Sequence, residues 1–138
     1  MLLIANLSAA LFFTGLSWFL QIVELPLLMR LDTPDFAKYA ALHRQRNTLL
    51  MTGPMIFEMV TAVWLLARPE FPHREIFHAF LLLIAIWLVT FLRHIPLHRR
   101  LLHGYDARCL RSIEKWNWIR TLCWTARAGL LLFIARVC

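Results

Sequence analysis

Trp116-Asn117-Trp118-Ile119-Arg120-Thr121-Leu122-Cys123-Trp124-Thr125-Ala126-Arg127 carries two arginines through a stretch otherwise rich in apolar and aromatic side chains. Upstream of it, Arg93-His94-Ile95-Pro96-Leu97-His98 sets a proline between two histidines. At about 3.6 residues per turn, Asn117, Arg120, Thr121, Trp124 and Arg127 share one face of a helix, while Ile119, Leu122 and Cys123 look elsewhere. A polar stripe on such a helix points inward, because an ionisable group at membrane depth is costly unless it is paired or hydrated. Each charged group on the stripe is therefore a candidate functional residue whose partner must be sought elsewhere in the chain.

The composition supports a bilayer setting. Of the 138 residues 60% are hydrophobic, with six tryptophans, ten phenylalanines and only four glycines, which is too apolar for a soluble domain of this length. The net charge of +7 would suggest nucleic-acid binding in a soluble protein, but here the basic residues gather in particular connections. That gathering is a topology signal, and no nucleic-acid partner is expected. Nothing positive precedes the first apolar run and no small-x-small cleavage site follows it, so that run is predicted to stay as a helix. Cys109, Cys123 and Cys138 have no metal-binding spacing and read as free thiols.

The expected fold is all-α: an integral membrane four-helix bundle with spans at about 2–29, 47–67, 76–94 and 116–137, forming a single domain over 1–138. A short interfacial helix at 34–46 is expected between spans one and two, opened by Thr33 as cap and Pro34 in its first turn. Pro96 is expected to kink or end the third helix. No internal repeat is apparent. Arg30, Lys38, Arg44, Arg46, Arg93, Arg99, Arg100, Arg108, Arg111 and Lys115 fall in the first-to-second and third-to-fourth connections, against Arg68, Arg74 and Arg136 on the other side. This bias predicts a multi-pass protein of the inner (cytoplasmic) membrane with both long connections cytoplasmic and both termini outside the cytoplasm.

Every predicted span is polar toward its cytoplasmic half: Gln21 and Glu24 on the first, Glu58 on the second, Thr90 and His94 on the third, Asn117, Arg120 and Arg127 on the fourth. The stripes are expected to meet around a cytoplasm-facing polar pocket. Glu58 and Arg127 reach similar depth and are predicted to pair, and Glu24 is predicted to pair with Arg120 nearer the mouth. His43, Arg46, His98 and Trp124 complete the set of candidate binding residues. The competing reading makes the buried ion pairs plain staples that fix helix register, in an accessory or structural subunit of a larger membrane complex or homo-oligomer. His94 and His98 have the i, i+4 spacing of metal ligands, but Pro96 stands between them and no histidine lies deep enough to hold haem, so neither metal nor haem is expected.

The combination Trp18-x2-Gln21-x4-Pro26-Leu27, His43-x2-Arg46, Gly53-Pro54-Met55-x2-Glu58, Trp87-x2-Thr90, Pro96-x-His98, Gly104-x-Asp106 and Asn117-Trp118-x-Arg120-Thr121-x2-Trp124-x2-Arg127 resembles a group of small bacterial four-helix membrane proteins. More distantly, the proline after the third helix and the Trp and Arg of the fourth are similar to the anthrone-oxygenase-like membrane family. That family tends to show Asn-Pro-x-Asn where this chain has His94-Ile95-Pro96-Leu97-His98. The resemblance implies that Pro96, His98 and Arg127 sit at a shared pocket; the expected function is the binding or oxygenase-like conversion of a small apolar or amphipathic molecule there. In such an enzyme His94 or His98 is the expected acid or base, Arg120 and Arg127 hold an anionic oxygen, and Glu58 orients Arg127.

Overall fold

The computed structural model describes residues 1–137, and among these the regular structure is entirely helical. Four helices follow one another: α1, Leu2–Leu28; α2, Phe36–Leu66; α3, His73–His103; and α4, Ala107–Val137. All four are long and apolar enough to cross a membrane. At ~1.5 Å per residue, 31 residues of helix reach about 46 Å, so α2, α3 and α4 overrun a hydrocarbon layer of about 30 Å and stand with their ends among the headgroups. The chain is an all-α, multi-pass integral membrane protein.

The helices are longer than the apolar runs within them. The expected separate helix at 34–46 is instead the first part of α2, which runs unbroken from Phe36 to Leu66. Between Phe36 and Asn47 the composition turns from polar to apolar, but no glycine, proline or capping sequence interrupts it, so the backbone has no reason to stop. The helix starts at Phe36 with Asp35 at the cap position, after a turn in which the Phe36 N–H donates to the Thr33 carbonyl at 3.0 Å. Likewise α4 begins at Ala107 and not near 116. Gly104, at φ 132°, makes the turn, and Asp106 Oδ1 caps the helix by accepting from the Arg108 and Cys109 N–H groups at 2.9 and 3.1 Å.

Pro96 does not end α3. The helix widens into a π-turn over Thr90–His94, where the Ile95 N–H donates to the Thr90 carbonyl five residues back, and then continues through Ile95-Pro96. The same device occurs in α1: a π-turn over Leu20–Glu24, with the Leu25 N–H bonded to the Leu20 carbonyl, just before Leu25-Pro26. A proline ring in a regular helix collides with the carbonyl four residues back, and inserting one residue into the preceding turn relieves that collision. The two turns are related by an offset of 70 (20 to 90, 24 to 94), and Glu24-Leu25-Pro26-Leu27 corresponds to His94-Ile95-Pro96-Leu97. Each half of the chain is thus a hairpin in which a π-turned helix is followed by a 31-residue helix. This structural repeat is hidden in the sequence because only the proline and its apolar neighbours persist.

The core is layered along the bundle. At the basic end Leu25, Leu28, Phe36, Leu101, Leu110 and Ile113 close an apolar cluster, and the Tyr105 hydroxyl donates to the Met29 carbonyl at 2.6 Å, tying the two connections together. A middle layer holds Phe13, Met55, Ile86 and Trp124, with the Phe13 and Trp124 rings stacked at 4.8 Å. At the far end Leu3, Ala10, Leu65, Ile76, Ala79, Leu131 and Ile134 pack together. Cys109 and Cys123 carry free thiols, and Cys138 lies outside the described residues. Phe13 is fully buried between the helices. Phe13→Ala should therefore destabilise the bundle by about 3 kcal/mol through the cavity it leaves, read as an earlier unfolding transition in an SDS titration from mixed micelles.

Candidate functional site

Three polar assemblies lie inside the bundle. The deepest is the expected ion pair. The Arg127 guanidinium bonds the Glu58 carboxylate through Nη1, donates from Nε to the Ala79 carbonyl at 3.0 Å, and donates from Nη2 to Asn6 Oδ1 at 2.7 Å. Asn6 Nδ2 in turn donates to the Glu58 carbonyl at 2.9 Å and to Thr61 Oγ1 at 2.7 Å, and Trp124 Nε1 donates to Glu58 Oε2 at 3.3 Å. One residue or carbonyl from each of the four helices takes part, and every guanidinium nitrogen is used. Both charged side chains are almost wholly buried, at 1% and 0% exposure, and the space beside them is too small for more than about one water, at about 10 Å³. This cluster is a clamp.

Nearer the basic end, a second assembly joins α1 to α4. Asn117 Nδ2 donates to Gln21 Oε1 at 2.8 Å, and the Ser17 and Thr121 hydroxyls bond at 2.6 Å. Neutral side-chain bonds between membrane helices are each worth about 0.6 to 2 kcal/mol, so this belt aligns the two helices without spending a charge.

The third assembly borders a hollow of about 410 Å³. Both π-turns face it, through Leu20 and Glu24 on one side and Thr90, Phe91 and His94 on the other. α2 contributes His43, Arg44, Asn47, Met51 and Met55, α3 adds Trp87 and His98, and Asn117 and Arg120 close the back from α4. The lining residues that are exposed are Thr48, Thr52 and Ile56 on α2 and Phe91 on α3. The opening therefore lies on the flank of the bundle between α2 and α3, where the expectation was a mouth at the basic end. The Thr48, Thr52 and Thr90 hydroxyls all donate back to helix carbonyls, at 2.8, 2.7 and 2.8 Å, so they turn little polarity toward the hollow.

Within the hollow, Glu24 does not meet Arg120 as expected. Its carboxylate accepts from His43 Nδ1 at 2.8 Å, and His43 Nε2 meets Asn47 Nδ2 at 2.9 Å. The π-turn rotates Glu24 toward α2, the helix that carries His43, and away from α4. The rings of His43, His98 and His94 follow one another, the first two stacked with centroids 6.3 Å apart and the second two tilted at 6.0 Å. Among the described residues no group of three or more His, Cys, Asp or Glu side chains gathers to hold a metal ion. Arg120 has no carboxylate at all. Its guanidinium lies over the Trp124 ring at 4.9 Å, its exposure is 4%, and its Nε has no hydrogen-bond partner. His94 Nε2 and Trp87 Nε1 are likewise buried and unpartnered, and both residues border the same hollow.

The candidate residues thus divide. Glu24, His43, Thr90, His94, His98, Asn117 and Arg120 meet at the hollow. Gln21 lies behind it in the α1–α4 belt, and Arg46 is exposed on the outer side of α2. Glu58 and Arg127 are cut off from it by the layer of Phe13, Met55, Ile86 and Trp124. Trp124 is the partition, with Arg120 against its ring and its N–H on Glu58. Sequence reasoning missed Met51, Met55, Thr48 and Thr52, because an apolar wall and back-bonded threonines look like any lipid-facing helix surface. Trp87 stood in a recurring motif, but only the structure shows its N–H unpartnered. Comparison of the chain with protein-family models, with curated proteins and with solved structures gives no match.

Removing one member of the clamp strands the other charge in the dry interior. Arg127→Leu should cost about 3 to 5 kcal/mol, whereas Glu58→Leu combined with Arg127→Leu should recover at least half of that loss. The two unfolding midpoints in mixed micelles check the expectation, and equal destabilisation of the single and double variants would contradict it.

Proposed function

We propose that the protein binds a small amphipathic molecule that enters sideways from the bilayer through the gap between α2 and α3. One observation carries this reading: the residues that hold buried side-chain nitrogens without partners among the described residues, Trp87, His94 and Arg120, all line the hollow of about 410 Å³. An unsatisfied buried polar group costs about 1 to 3 kcal/mol, and folded proteins keep few of them. Three in one place, around a volume within the range of about 300 to 1,000 Å³ typical of small-molecule sites, are best accounted for by a ligand that completes their bonds. The apolar walls of Met51 and Met55 suit its chain, and the polar end near His43, His94, His98 and Arg120 suits its head.

Both basic connections lie at the same end of the bundle as this polar end, and the positive-inside bias supports a head toward the cytoplasmic face of an inner membrane, with both termini on the other side. His94 and His98 flank the position of the head, and Arg120 stands where a developing anionic oxygen would need stabilising. These are the groups through which an acid–base or oxygenase-like conversion of the ligand, as the anthrone-oxygenase-like resemblance implies, would proceed. Glu58 and Arg127 hold the helices that carry the site.

Native mass spectrometry of the protein released from its own membranes in mild detergent tests the proposal. The wild type should retain a small amphipathic molecule at one copy per chain. Met55→Trp, which fills the hollow from a buried position on its wall, should lower that occupancy at least tenfold while the protein still folds. A stoichiometric partner protein with no retained small molecule would instead favour an accessory subunit whose ion pairs are staples.

A further inference from the structure

Resting on the reading of the hollow as an amphiphile site, we infer that the head group it takes is a monoanionic oxygen acid, a carboxylate or a phosphodiester, with Arg120 as its counter-ion. The charges inside the bundle point this way. Two acids of the membrane-crossing helices have a basic partner within 4 Å: Glu58 pairs with Arg127, and Glu24 with His43 at 2.8 Å. Arg120 is nearly as buried as Arg127 but has no ion-pair partner within 4 Å among the described residues, and its guanidinium lies over the face of Trp124. A guanidinium does not give up its proton under any physiological condition, and among the described residues no carboxylate lies within 4 Å of this one. Arg44, half-buried on the wall of the same hollow, adds a second positive side chain with no acid within 4 Å among the described residues.

The hydrogen-bonding inventory agrees. Indole and guanidinium nitrogens donate and cannot accept, and the free ones here, Trp87 Nε1 and Arg120 Nε, call for an acceptor with more than one lone pair. A carboxylate or phosphodiester offers acceptors only and matches the fork of a guanidinium, which gives the strongest class of hydrogen bond. Thr48, Thr52 and Ile56, which edge the mouth, lie along about 12 Å of α2, and the chain of the ligand would leave through this gap into the leaflet. A water-soluble anion has no such route. Arg120 is then a residue kept for binding at the expense of the unliganded fold.

The test uses the full chain in nanodiscs of zwitterionic phosphatidylcholine, with labelled palmitate as probe and phosphatidylglycerol, methyl palmitate and decylubiquinone as competitors. Saturable binding at one site per chain is expected for palmitate. Displacement by phosphatidylglycerol at comparable concentration would assign the head to a phospholipid, and failure to displace would assign it to a free fatty acid. The neutral ester and the quinone should compete at least tenfold more weakly, and Arg120→Gln should weaken palmitate binding at least thirtyfold. Ligand-free Arg120→Gln should melt no lower than the wild type and should lose the upward shift that palmitate confers. A purely structural arginine would do the opposite.

Equal competition by the neutral compounds, or wild-type palmitate affinity in Arg120→Gln, would overturn the anionic head. The amphiphile site itself would survive that result if Met55→Trp still blocked binding. Absence of binding by all four compounds would also overturn the inference, and the site reading would fall with it only if native mass spectrometry found no small molecule retained.

Discussion

An arginine in a lipid-spanning helix stays charged, and every other feature of this bundle is arranged around where two such charges go. Arg127 and Arg120 lie on one face of α4, two turns apart, yet they meet opposite fates. Arg127 is surrounded by Glu58, Asn6 and the Ala79 carbonyl, so that one guanidinium fixes the depth and rotation of all four helices. Apolar side chains cannot do this in a bilayer, where lipid tails compete with them on equal terms. Arg120 meets no carboxylate and faces a hollow.

What keeps the two apart is a layer of aromatic and aliphatic packing. Trp124 is stacked on Phe13 and flanked by Met55 and Ile86, and it touches Arg120 with its ring and Glu58 with its N–H. Below this layer the interior is dry and fully bonded. Above it, the two π-turns displace α1 and α3 from regular register, so that Glu24 and His94 turn inward and space opens between them. Such turns recur at functional positions because they reorient one face of a helix without ending it. The prolines at 26 and 96 make the distortion permanent.

Much of this architecture is legible in the residues. Charged and amide side chains inside apolar runs announce both the spans and the inward faces, which is why Glu58 with Arg127, and Glu24, His43, His94, His98 and Arg120 as neighbours of one space, follow from helical periodicity and depth. Three things do not follow. Helix ends are invisible where headgroup-level residues such as Lys38 and Arg44 continue a helix that composition alone would divide. The partner of Glu24 depends on the rotation imposed by a π-turn, which no periodicity of 3.6 anticipates, and the same is true of the repeat built on Pro26 and Pro96. The wall of the hollow is made of methionines and self-bonded threonines, whose polarity is no different from that of a surface facing acyl chains.

The position of the opening on the flank of the bundle changes what occupancy means. On the proposal above, a molecule that reaches Met51 and Met55 through the seam between α2 and α3 would arrive from the leaflet, so its surface density among the lipids, and not its level in water, would set how often the site is filled. Diluting the protein in detergent lowers that density even when the total amount of compound is unchanged. The degree of saturation thus becomes a property of the surrounding lipid mixture as much as of the residues that line the wall.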